Sequence, residues 1–218
     1  MIHLFGAFQV ELDDELLDGF VSDKVRALLA YLAVEFDTPH RREKLASLLW
    51  PEMSEKRARA SLSQALYNLR TLFSDHHQEV PFLQVTHKTI QFNFNSDTWM
   101  DAAIFATQLE HVAHHTHASL DRCDSCVQGL QEAIALYRGE FLAGFFVEGV
   151  QAFQEWCSVA RERFQRQAIT ALNQLAKAYE DRGEISQALE ITPISGEGRT
   201  PSAAVLLDTM RITRNHAQ

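Results

Sequence analysis

The sequence predicts a mainly α chain in two parts, an α+β N-terminal half followed by an all-α half. Three observations carry this. Period-two apolar stretches flank a block of helical periods between residues 3 and 94, and from Asp97 to about Ile191 every periodic segment is helical. The composition, 46% hydrophobic and 22% charged with nine Gly and five Pro, is that of a globular protein and excludes a collagen-like fibre or a disordered chain. At roughly 100–200 residues per domain, 218 residues make one large domain or two small ones.

The first element is a hairpin. Leu4, Ala7 or Phe8, Val10 and Leu12 recur at close to period two, and Asp13-Asp14-Glu15 forms a turn before Leu16, Leu17 and Phe20. From Ser22 the period lengthens: Val25, Leu28, Leu29, Leu32 and Ala33 mark a first helix, with Ser22 or Asp23 as N-cap and Pro39 beyond its end. Residues 41–50 form a second, short helix with Leu45, Leu48 and Leu49 on one face, closed by Pro51. Ser54 caps a third helix running to about Phe73. Its Ala58, Leu62, Ala65, Leu66, Leu69, Leu72 and Phe73 share one sector, and Lys56, Arg59, Ser63, Gln64, Tyr67, Arg70 and Thr71 fill the opposite one. After a polar break at 74–78, residues 82–94 alternate cleanly around His87-Lys88-Thr89, which reads as a second hairpin.

The C-terminal half is predicted as helices over 101–113, 127–139, 150–167 and 168–182 with a further start at 184. The boundary falls near Asn95-Ser96-Asp97, giving units 1–96 and 97–191, and without a Gly- or Pro-rich linker the halves are expected to pack together. Residues 192–218 change composition abruptly and are expected to form an atypical, poorly ordered tail. No apolar run approaches the roughly 18 residues that cross a bilayer, and Met1 opens no export signal, so the expected location is the cytoplasm without membrane contact. Three cysteines in such a chain point to reduced thiols rather than a disulfide framework.

The net charge of −9 is unevenly spread: residues 40–73 carry seven Lys and Arg against three Asp and Glu. An acidic chain can bind a polyanion through such a local basic stretch. A helix exposing Arg59, Ser63, Tyr67 and Arg70, preceded by a helix and followed by a hairpin, has the parts of a winged helix-turn-helix. In isolation the stripe would be a solvated face; its neighbours and the local positive charge turn the reading toward double-stranded DNA. Arg59 would meet base edges, where Ser63 and Gln64 can take either role, Arg70 and Thr71 share the DNA-facing stripe, and Arg41, Arg42, Lys56, Arg57 and the hairpin's Lys88 would meet phosphates. Tyr67 would lie against DNA or pack on the wing.

Four motifs in order carry a family resemblance: Leu4-Phe-Gly-Ala-Phe8, Ser22-Asp-Lys-Val-Arg-Ala-Leu-Leu-Ala-Tyr-Leu32, Arg42-Glu-Lys-Leu-Ala-Ser-Leu-Leu-Trp-Pro51 and Ala58-Arg-Ala-Ser-Leu-Ser-Gln-Ala-Leu-Tyr-Asn-Leu-Arg70. They resemble the DNA-binding half of bacterial transcriptional activators of the antibiotic-regulatory (SARP) type. Tyr137-Arg-Gly-Glu-Phe-Leu-Ala-Gly-Phe145, Phe153-Gln-Glu-Trp156 and Arg161-Glu-Arg163 resemble that family's second half. The resemblance implies a response-regulator-like winged helix followed by a helical, tetratricopeptide-like activator domain, with contacts between protomers on tandem sites and to RNA polymerase. Leu172, Leu175, Ala176, Tyr179 and Ala188 fit a 34-residue helical repeat with Gly183 at its turn. That agreement stops at about Leu189 to Ile191, so residues 192–218 are expected to reflect a truncation or a frame change.

His111, His114, His115 and His117 precede Cys123-x-x-Cys126. The favoured reading is a polar loop with two small thiols; the alternative is zinc held by Cys123, Cys126, His115 and His117. No phosphate loop or nucleophile–base constellation occurs, so neither a cofactor nor an enzymatic activity is expected. The functional expectation is a sequence-specific DNA-binding transcriptional regulator, most simply an activator. Its rival is a helical-repeat interaction module whose winged helix is a docking surface without DNA affinity.

Overall fold

A computed structural model describes residues 1–75, 78–116 and 118–191. The N-terminal segment departs from a single hairpin: β1 (Ile2–His3), β2 (Gln9–Leu12) and β3 (Glu15–Leu16) form an antiparallel sheet in that order. The expected continuous strand breaks at Gly6, whose φ of +89° is open to glycine and rarely to other residues. Asp13 and Asp14 turn β2 into β3 with φ of 52° and 65°, the doubly left-handed turn that matches the twist of a hairpin and that Asp tolerates.

Helix α1 (Asp23–Val34) follows Ser22 and buries Val25, Leu28, Leu29 and Leu32. Helix α2 (Arg42–Leu49) ends at Trp50 before Pro51, and α3 (Glu55–Leu72) begins after the extended Ser54. The second hairpin is β5 (Leu83–Val85) and β6 (Thr89–Phe92), in register at Leu83↔Phe92 and Val85↔Ile90. A third strand, β4 (His40–Arg41), joins β6 through His40↔Ile90 and Arg41↔Thr89. Two polar residues give no periodic signal, and the pairing exists only because the hairpin returns beside the start of α2. Three helices and a flanking three-stranded sheet in this order make a winged helix-turn-helix.

The second half contains α4 (Asp101–His114), a 3-10 turn at Leu120–Arg122, α5 (Asp124–Leu136), α6 (Gln151–Arg182) and α7 (Ile185–Ile191). One expectation is corrected. The two segments expected at 150–167 and 168–182 are one 32-residue helix, Gln151–Arg182, so they do not pack face to face. No Gly or Pro interrupts the segment, and Phe164, Ala168, Ala171 and Leu172 stay buried across the expected break. The helix stops at Gly183, which is left-handed at φ +77°, while the Glu184 N–H returns to the Tyr179 carbonyl.

The halves share one core. The Leu142 N–H donates to the Leu4 carbonyl at 2.8 Å, Phe5 bridges to Phe141, and the Ile2 N–H donates to the Trp99 carbonyl. Phe5 sits edge-on to Phe105 and Phe164 with ring centroids 5.2 Å apart in each pair. At the seam the fully buried Asp101 carboxylate accepts the N–H groups of Leu4 and Phe5 as well as that of Ala102, and Arg138 lies 3.6 Å away. Higher up, Trp156 of α6 stacks obliquely on Tyr31 of α1 and donates to Glu35 at 2.9 Å.

Candidate nucleic-acid interface

Helix α3 presents two faces because its apolar residues recur at helical spacing. Ala58, Leu62, Ala65, Leu66 and Leu69 are buried against the first half's core. On the other side Lys56, Arg57, Arg59, Ser63, Gln64, Tyr67 and Thr71 are exposed, and the packing of α6 behind α2 leaves this stripe uncovered. Tyr67 is 61% exposed rather than packed on the wing.

The start of α2, the middle of α3 and the wing tip meet around Arg42. Its guanidinium donates to Ser63 Oγ at 3.0 Å, and its backbone N–H donates to the Lys88 carbonyl at 3.0 Å. Ser63 Oγ in turn donates to the Arg59 carbonyl. The wing tip is a hydroxyl-capped turn: Thr86 Oγ1 accepts the N–H groups of Lys88 and Thr89, leaving the His87 and Lys88 side chains exposed. Arg41, in β4, is also exposed beside this junction. The structure therefore gathers Arg41 and Arg42, Ser63 and Lys88 from three segments that lie far apart in sequence.

Two of the expected contact residues, Arg59 and Arg70, are paired with carboxylates. Arg59 Nη2 pairs with Glu43 of α2 at 3.0 Å and with Glu55 at 2.7 Å. The Glu55 pair follows from i,i+4 spacing; the Glu43 pair needs the α2–α3 crossing. Arg70 is half-buried and holds the buried Asp75 at 3.2 Å, while Asp75 also accepts the Phe82 N–H at the start of the wing. Arg70 thus ties the end of α3 to the wing, whatever else it reaches.

Sequence reasoning missed two supports of this surface. Lys24 of α1 pairs with Glu52 at 2.7 Å beneath the α2–α3 turn, and that hydrogen bond holds the Glu52 carboxyl below its ordinary range. Asn68 accepts the Val21 N–H and donates to the Gly19 carbonyl, fastening α3 to the loop before α1. Neither residue is signalled by periodicity, since both act through loops distant in sequence.

The histidine–cysteine segment lies elsewhere, at the turn between α4 and α5. His115 Nδ1 is 3.1 Å from Cys126 Sγ and 3.4 Å from Cys123 Sγ. Burial and the neighbouring Cys123 push the Cys126 thiol up to about 11. His117 and the expected tail, 192–218, lie outside the described residues. All three cysteines are free thiols. Among the described residues no helix is long and apolar enough to cross a membrane.

Comparisons with known proteins agree with both halves. Residues 100–192 match the sequence profile of the bacterial transcriptional activator domain. The solved structure of Mycobacterium tuberculosis EmbR in complex with a low-affinity phosphopeptide is similar, with a TM-score of 0.58 at 20% identity over 98% of this chain. That likeness is one of fold, and this chain spans 65% of EmbR's length. No curated protein matches the chain by sequence.

Proposed function

We propose, from the premise that this chain has the architecture of a SARP-type transcriptional regulator, a winged helix continuous with a bacterial transcriptional activator domain, that it binds double-stranded DNA sequence-specifically and activates transcription. Helix α3 enters the major groove and the hairpin tip follows the adjoining backbone. One observation carries the reading: Arg42 joins the exposed face of α3 to the wing tip, so base-edge and phosphate donors form one surface.

In this arrangement Ser63, Gln64, Tyr67 and Thr71 face base edges, with Arg59 held ready by Glu43 and Glu55. Lys56, Arg57, Arg41, Arg42 and Lys88 neutralise phosphates. Arg70 contributes mainly by placing the wing. The helical half contacts a second protomer and RNA polymerase, and no chemical step is performed.

Binding of the full chain to promoter-derived and random duplexes at two salt concentrations tests the proposal. Affinity is expected to fall steeply with salt, with a preference for one promoter sequence. Absence of binding at low salt would instead favour the docking-module reading. Arg59→Ala is expected to cost about 1–3 kcal/mol on the preferred site and little on random DNA. Lys88→Ala is expected to weaken every sequence about equally and lower the salt slope by about one. Equal losses on all probes for Arg59→Ala would remove that residue from base recognition.

A further inference from the structure

We propose that the turn between α4 and α5 is a zinc site, with His115 Nδ1, Cys123 Sγ and Cys126 Sγ as its protein ligands and water completing a tetrahedron. These three donor atoms lie within 4.8 Å of one another. Zinc with bonds of about 2.3 Å to sulfur and about 2.0–2.1 Å to nitrogen sets its donors roughly 3.4–3.8 Å apart. The His115 nitrogen already stands 3.1 and 3.4 Å from the two sulfurs, within a few tenths of an ångström of the nitrogen–sulfur separation that zinc sets.

The local fold explains the convergence. Cys123 is the N-cap residue just before α5 and Cys126 lies in its first turn, so the three-residue spacing places both sulfurs on one side of the helix end. His115 is the C-cap residue just after α4, and its ring stacks on His111 with centroids 5.4 Å apart. From α6, Arg182 donates to the Asp121 carbonyl and to Asp124 Oδ1, anchoring the same turn independently of any metal. The donors are thus held together before an ion arrives.

Donor chemistry selects the ion. Two thiolates and an imidazole form a borderline-soft set that suits zinc and disfavours magnesium or calcium, which take oxygen ligands. The two thiolates also balance the charge of a divalent ion at a half-buried position. The site is remote from the α3 surface, and its role is to pin α4 to α5. It stands or falls separately from DNA binding.

The test uses the full chain, reduced, stripped by chelator and titrated with cobalt(II) without oxygen, then with zinc in competition. The expected result is one ion per chain, with a thiolate-to-cobalt charge-transfer band and tetrahedral d–d bands that zinc abolishes. His115→Gln, at an exposed position, and Cys123→Ser should each weaken zinc binding by at least about tenfold, because losing even an outer-shell partner costs 10–100-fold. Cys157→Ala, whose thiol sits in the core of α6, should bind zinc as the wild type does. Failure of the charge-transfer band to appear overturns the proposal. So does a band of equal strength in His115→Gln and Cys123→Ser.

Discussion

Replacing Asp101 with Ala is expected to destabilise both halves together, by about 3–5 kcal/mol in a single unfolding transition. The carboxylate is fully buried and accepts three backbone N–H groups, two of them from the strand-like segment at Leu4 and Phe5. Alanine strands those donors away from water, each at a cost of about 1–3 kcal/mol before relaxation. It also leaves Arg138 without its nearest buried carboxylate. Asp101→Asn should fall between wild type and Ala, since one face of the amide accepts and the other opposes an N–H. Denaturant unfolding followed by tryptophan fluorescence reads the result; two separate transitions would show that the halves do not share a core.

The same residue sets a pH dependence. Burial pushes the Asp101 carboxyl above the ordinary carboxylate range, against the opposing pull of the Phe5, Leu4 and Ala102 N–H groups and of His3. The native state therefore holds this proton more tightly than the unfolded chain. From an unfolded value of about 4 up to the raised native value, this group's contribution to stability declines as pH rises, and above that value it is constant. Asp101→Asn should remove that component of the slope, which begins above about pH 4.

The combined substitution Arg42→Ala with Lys88→Ala is expected to weaken binding to the preferred duplex by about 2–4 kcal/mol and to lower the salt slope by about two. Both side chains are lost from one junction, yet its backbone link remains, because the Arg42 N–H still meets the Lys88 carbonyl. The unfolding midpoint should move little, since the single side-chain bond removed, to Ser63, is at the surface. Anisotropy titrations at two salt concentrations measure this. An unchanged slope would mean that neither residue neutralises a phosphate.

Much of the fold was legible because its signals are local. Helices α1, α2 and α3 and the second hairpin lie where their apolar periods and their flanking Ser22, Pro51 and Ser54 place them, to within a residue or two. The misreadings share a cause. The expected strand breaks at Gly6 because the chain there turns to pair with residues 140–143, more than 130 positions away. Strand β4 has no pattern of its own and is defined by β6. The expected division at residue 168 is absent because the buried Ala168 and Ala171 continue a single helix. The exposed stripe was legible as composition, but not the Glu43 that pairs with its Arg59 or the Asp75 that takes up Arg70.

By itself the sequence determined the order of elements, which face of α3 is apolar and where positive charge concentrates, because each is written in residue spacing along one segment. Tertiary structure alone decided which charges stay available at that face, what joins α3 to the wing and how Asp101 locks the two halves. It also decided that one imidazole and two thiols converge on a single point. Those outcomes depend on distances across the fold, which spacing along the chain does not encode.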